Sequence, residues 1–92
     1  MEIVWSAAKD RKLKATRNVS FEDVVPILLE NRYLAVLENP SRPGQTIFLV
    51  RLRDFTYVVP FEIEGDKLIL KTIFPSRRFH KLYAQRKNNG QA

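Results

Sequence analysis

Apolar positions follow one period up to about residue 32 and another beyond it. Between Ala7 and Arg17 the good helix formers Ala7, Ala8, Lys12, Leu13, Lys14 and Ala15 dominate, which predicts a helix over that span. Asn18 suits the left-handed position that closes such a helix, because Asn tolerates positive φ better than most residues. Ser20 reads as an N-cap, and Glu22 and Asp23 in the following turn favour the dipole of a second helix. That helix is predicted from Phe21 to about Asn31, presenting Val24, Val25, Ile27, Leu28 and Leu29. Pro26 deletes one backbone bond within it and predicts a kink or a ragged first turn.

Elsewhere the pattern is that of strands. Glu2–Trp5 reads as a short first strand and Tyr33–Glu38 as a second, followed by the loop Asn39-Pro40-Ser41-Arg42-Pro43-Gly44. Thr46–Arg53 alternates, with Phe48, Val50 and Leu52 on one face and Ile47, Leu49, Arg51 and Arg53 on the other. Asp54 lies in a tight reversal, Tyr57–Glu64 forms the next strand, and Glu64-Gly65-Asp66 is a hairpin turn. Pro60 argues for a sheet edge or a bulge at its position. Lys67–Phe74 is apolar on both faces and is expected at the centre of the sheet. Ser76 then caps a short basic helix from Arg77 to about Gln85.

These elements predict an α+β fold: a short strand, two helices, an antiparallel meander of four strands, and a small C-terminal helix in two layers around one core. Residues 1–86 form a single domain in this reading, and 87–92 form a flexible polar tail. Trp5, Phe21, Phe48, Phe61 and Phe74 are assigned to the core.

Composition narrows the chemistry. The 92 residues contain no cysteine and one histidine, so disulfides, thiolate metal sites and cysteine nucleophiles are excluded. No carboxylate cluster substitutes for them, which argues against a metal-dependent mechanism and for no cofactor. Serine nucleophile arrangements lack a partner base, and Gly44 forms no phosphate-binding loop. The N-terminus has no signal pattern, and the longest apolar run, Val24–Leu29, is far short of a bilayer span, so a soluble cytoplasmic protein is expected. The net charge is +6, and its placement matters more than its size. Residues 9–17 hold Lys9, Arg11, Lys12, Lys14 and Arg17 against Asp10 alone, and from Lys67 onward there are seven cations up to Lys87 and no acid. Such polarity suits a polyanionic partner, although a solvated basic surface gives the same pattern.

Trp5-x-x-x-Lys9, followed by Val19-Ser20-Phe21-Glu22-Asp23-Val24, resembles the N-terminal half of BrnT-type toxins. The meander and its exit through Ile73-Phe74-Pro75-Ser76-Arg77 into a basic helix ending near Tyr83 are similar to that family as well, so the resemblance covers residues 2–84. It implies a RelE-like fold and a ribonuclease toxin of a bacterial type II toxin–antitoxin pair. Its partners would be mRNA, free or on the ribosome, and a cognate acidic antitoxin through which alone operator DNA is contacted. This chain has Thr16-Arg17-Asn18 where family members have Lys-His-Gly, and Pro75-Ser76-Arg77 where they have Ser-Ala-Arg.

RNA is cut without metal when its own 2′-hydroxyl attacks the adjacent phosphate. The enzyme then supplies a base, cations for the developing phosphorane charge, and an acid for the leaving 5′ oxygen. Arg77, where the last strand ends, is a candidate two-pronged phosphate clamp, or else a surface arginine paired with Glu62 or Glu64. His80 belongs to the one residue type that ordinarily titrates near neutrality, and at helical spacing it shares a face with Arg77 and Tyr83. Tyr83 could stack on a base or simply end the core, and Lys71 completes the candidate catalytic group. Arg51, Arg53, Arg78 and Lys81 are candidate RNA-binding cations, and the antitoxin is expected on the Arg51/Arg53/Lys71/Arg77 face. Two further functions fit the same residues: a non-catalytic nucleic-acid-binding protein and a pure interaction module.

Overall fold

The computed structural model describes residues 1–89. The chain runs β1 (Glu2–Val4), α1 (Ala7–Arg17), α2 (Phe21–Leu29), β2 (Ala35–Glu38), β3 (Thr46–Leu52), β4 (Phe55–Glu64), β5 (Lys67–Leu70), β6 (Phe74–Pro75) and α3 (Arg77–Asn89). This is the α+β class the pattern predicts. The third helix runs past its expected end near Gln85 to Asn89, and residues 90–92 of the expected tail lie outside the described residues.

Local chemistry accounts for the helix boundaries. Ser6 caps α1 by accepting from the Lys9 amide, and Asn18 closes it at φ 55°. Ser20 and Asp23 form a capping box at the start of α2: the Ser20 hydroxyl accepts from the helix amides and Asp23 accepts from the Ser20 amide. The helix stops at Leu29, short of Asn31, because Asn31 turns left-handed at φ 55°. There the Arg32 amide donates to Ile27 O and the Asn31 amide to Leu28 O, a Schellman closure.

The sheet has the order β1-β5-β4-β3-β2, with β6 also paired to β4. It is mixed: β1 runs parallel to β5 with Ile3 opposite Leu68, so the expected antiparallel meander accounts for only part of it. Arg53 and Asp54 make the two-residue turn between β3 and β4, both at positive φ (48° and 66°), with Leu52 opposite Phe55.

Pro60 is buried in β4 between β3 and the β5/β6 side, so neither an edge nor a bulge explains it. Its carbonyl accepts from the Lys71 amide. Amide and carbonyl of one strand residue point the same way, so the donor missing from Pro60 faces β5. The ladder with β5 ends at Phe61 opposite Leu70, and pairing resumes with β6 at Val58 opposite Phe74. Proline thus breaks the predicted Lys67–Phe74 strand in two.

Helices cover both faces, which makes three layers where two were expected. On one face α1 and α2 bury Leu13, Phe21, Val24 and Ile27 against Phe48, Val50, Val59 and Phe61, with Phe48 and Phe61 stacked at 4.3 Å. Trp5 packs beside Phe21 at 5.8 Å. On the other face Phe79 and Tyr83 of α3, together with Phe74, cover Ile47, Leu49 and Val58. The expected single core is therefore two clusters separated by the sheet. Among the described residues, no helix is long and apolar enough to cross a membrane.

Candidate functional site

The α3 face of the sheet gathers the chemistry. Alternation along β3 puts Arg51 on the same side as Ile47 and Leu49, and the two-residue turn sets Arg51 directly opposite Thr56. Thr56 is fully buried, and its carbonyl accepts from the Ser76 amide, which docks the start of α3 onto β4. Ser76 caps that helix, its hydroxyl accepting from the Phe79 amide at 3.1 Å and its carbonyl from the His80 amide at 2.9 Å. The first turn of α3 is therefore fixed at both ends, and Phe79, His80 and Tyr83 point inward.

His80 is held from two sides. Its Nδ1 lies 3.1 Å from Thr56 Oγ1, and its ring stacks on Phe55 at 4.3 Å with a 21° interplanar angle. A hydroxyl can donate or accept, so Thr56 supports either tautomer of the ring. With Nδ1–H donating to Thr56, Nε2 is a base; with the Thr56 hydroxyl donating to Nδ1, Nε2 carries a proton to give. A partly exposed imidazole with one nitrogen engaged and the other left for a substrate suits proton transfer.

Arg51 is unusual in a different way. Its Nε and Nη2 are buried with no hydrogen-bond partner. A guanidinium is always charged, and burying its donors unpaired costs about 1–3 kcal/mol each. Arg51 as a whole is partly exposed, across the ladder from Thr56, so its charge favours an anion on this face. Arg77 lies one turn before His80 on the flank of α3, exposed, and Lys81 is exposed beside it. Glu62 pairs with Lys71 and not with Arg77, and among the described residues Arg77 makes no ion pair.

The structure thus unites Arg51, His80 and Arg77, and adds Thr56 and Phe55, which sequence reasoning passed over. The missed signal is the Arg53-Asp54 turn. With the turn placed there, Thr56 falls opposite Arg51 by counting. Tyr83 is beside the group, but its ring packs against Ile47, Leu49 and Val58, with Phe79 at 6.3 Å.

Three other expected residues lie elsewhere. Arg53 is in the turn, not on the strand face. It reaches back to the helical layer, donating to Asn18 O at 2.6 Å and pairing with Asp23 at 3.5 Å. Lys71 pairs with Glu62 at 3.8 Å, and its amide meets Pro60, four residues along β4 from Thr56. That backbone separation is about 13 Å at ~3.3 Å per residue, which sets Lys71 toward the other end of β4 from the Thr56–His80 contact. Arg78 is on the flank of α3 away from Arg77, beside the loop at Asn39–Ser41. The Arg51/Arg53/Lys71/Arg77 set is accordingly not one continuous face.

No three His, Cys, Asp or Glu side chains among the described residues come together as a metal site requires. No protein-family model matches the chain, and no curated protein matches it.

Proposed function

We propose that this chain is an RNA-cleaving toxin of the type II toxin–antitoxin kind, a metal-independent endoribonuclease acting on mRNA in the cytoplasm. The observation that carries this reading is His80, fixed by Thr56 and Phe55 with Nε2 left to work on a proton, with partly buried Arg51 opposite Thr56 on the sheet and exposed Arg77 one helical turn away. The sequence resemblance to BrnT-type toxins points the same way.

In this mechanism neutral His80 accepts the 2′-hydroxyl proton at Nε2 while the 2′ oxygen bonds to phosphorus. The P–O5′ bond then breaks, and the imidazolium returns the proton to the leaving 5′ oxygen. The products are a 2′,3′-cyclic phosphate and a 5′-hydroxyl, and no co-reactant is consumed. Arg77 contacts the phosphate, and Arg51 stabilises the phosphorane through its field. An acidic antitoxin covering the His80/Arg77 surface would silence the protein by excluding RNA, and would be the only route to operator DNA.

The test is induction of the chain alone in bacteria, with growth and transcript integrity followed beside the His80→Ala and Arg77→Ala variants. Growth arrest with new internal mRNA cuts is expected for the native chain, with both relieved by either substitution. Normal growth and intact transcripts despite soluble protein would overturn the reading. RNA binding without cleavage would favour a non-catalytic binding module.

A further inference from the structure

The α3 face carries a second feature, a groove beside the His80 group. Its outer wall is the loop after β2, which is stapled to itself. The Asn39 amide donates to Gln45 O at 2.7 Å, the Asn39 side chain accepts from the Ser41 amide and donates to Gln45 Oε1, and the Gly44 amide donates to Glu38. Such a loop is a rigid wall. Between it, β4 and the start of α3 lie two adjoining cavities of about 440 and about 180 Å³, sharing Asn39, Ser41 and Phe74.

The two cavities differ in the side chains that line them. The smaller has an apolar floor of Ile47, Val58, Phe74 and Phe79, with Ser76 and Arg78 at its margin. The Arg78 guanidinium already lies 6.0 Å from the Phe79 ring centre. The larger carries the cations Arg42 and Lys71 beside Gln45 and Thr72, with Pro60 and Phe74 as apolar wall, and its one acid is Glu62, the exposed partner of Lys71 at 3.8 Å. A pocket lined by Phe74 and Phe79, joined to one that carries Arg42 and Lys71, matches one ligand chemistry above others: a base that stacks, followed by a phosphate. An acidic peptide would use the cations and leave the aromatic floor idle.

We infer that this groove is a single-stranded RNA subsite, taking a base against Phe74 and Phe79 beside Arg78 and the adjoining phosphate between Arg42 and Lys71. It rests on the ribonuclease reading for its biological sense, since its distance along β4 from Thr56 makes it a site for a nucleotide flanking the cut. Binding itself does not require cleavage. The subsite also gives Lys71 and Arg78 a role in gripping RNA away from the reacting phosphate.

The experiment is fluorescence-anisotropy titration of the full chain with a labelled, uncleavable 2′-O-methyl RNA strand of mixed sequence, repeated over a range of salt. Arg42→Ala and Lys71→Ala are each expected to weaken binding roughly tenfold and to lower the salt slope by about 0.7, the value for one single-strand phosphate contact. Phe74→Leu, which keeps the floor apolar, should also weaken binding roughly tenfold while leaving the salt slope unchanged. An abasic strand of equal length should bind roughly tenfold more weakly than the normal one and be insensitive to Phe74→Leu. Equal affinity for normal and abasic strands, or a polyglutamate chain that competes as well as RNA, would reduce the groove to a charge-only surface and overturn the inference. The two readings fail separately. Cleavage by the native chain with unchanged binding in the groove variants would sink the subsite alone. Groove-dependent binding with no cleavage would sink the ribonuclease and leave the subsite standing.

Discussion

Replacing Asp10 tests how the helical layer is held, and its size can be worked from the contacts. Asp10 is 7% exposed and lies in the first turn of α1. Its carboxylate accepts from the Phe21 amide at 2.8 Å and from the Ser20 hydroxyl at 3.0 Å, and Lys14 Nζ is 3.3 Å away. Asp10→Ala leaves the buried Phe21 amide unpaired, which costs about 1–3 kcal/mol, and removes a charged hydrogen bond to Ser20 of similar size. The half-exposed Lys14 adds at most about 1 kcal/mol. A total loss of about 3 kcal/mol is expected, which lowers Tm by about 12–24 °C in a domain of this length. Asp10→Asn keeps an acceptor for Phe21 and should lose about 1 kcal/mol.

The pH dependence supplies a second readout. Burial pushes the Asp10 carboxyl up, but the Phe21 amide, the Ser20 hydroxyl and Lys14 together outweigh it and hold the folded value below the ordinary 3.8. The unfolded chain therefore binds more protons in that window, so stability rises with pH through it. The contribution is complete above the ordinary carboxylate value and disappears as pH falls through the lower folded one. Urea unfolding followed by the fluorescence of Trp5, which packs beside Phe21, reports both effects. Unfolding of Asp10→Ala within about 0.5 kcal/mol of the native chain would refute this role of the carboxylate. An advantage over Asp10→Asn that persists undiminished below the carboxylate range would refute it as well.

Other substitutions separate function from stability. Arg51→Met should raise stability by about 1–2 kcal/mol, by removing unpaired buried donors, and abolish RNA cleavage; thermal unfolding and a cleavage assay decide, and a destabilised Met variant would show that the guanidinium has a structural partner. Thr56→Val keeps the buried volume and removes the hydroxyl at His80, so kcat for cleavage should fall about tenfold or more with KM little changed, and an unchanged kcat would take Thr56 out of the positioning role. Asp54→Gly relieves a non-glycine residue at φ 66° in the β3–β4 turn and should stabilise by about 0.5–1 kcal/mol, read by urea unfolding. A loss of stability there would mean that the Asp54 side chain contributes more than its backbone strain costs.

The parts legible in the sequence are those fixed by neighbours a few residues apart. The span of α1, the left-handed Asn18, the Ser20 cap, the loop after β2, the Gly65 hairpin and the Ser76 cap all follow from local backbone chemistry, and all occur. Alternation along β3 assigned Phe48, Val50 and Leu52 to one face and Ile47, Leu49 and Arg51 to the other, because the strand period leaves no choice. Arg53 escaped that rule because it had already entered the turn, where positive φ redirects its side chain toward Asn18 and Asp23.

What only the tertiary structure decided depends on partners distant along the chain. The parallel pairing of β1 with β5 joins segments more than sixty residues apart, and no local signal specifies it. Pro60 announced a disturbed ladder, but that it would split the following strand and not mark an edge depended on which neighbour its missing amide faces. The site follows the same division. Arg77 and His80 are one helical turn apart and could be paired by counting. The meeting of His80 with Thr56 and Phe55, the burial of Arg51 beside them, and the exclusion of Lys71 depended on where α3 docks across the sheet. Local propensity sets where an element begins and ends. Burial of two apolar faces by helices from opposite ends of the chain sets which charged residues meet.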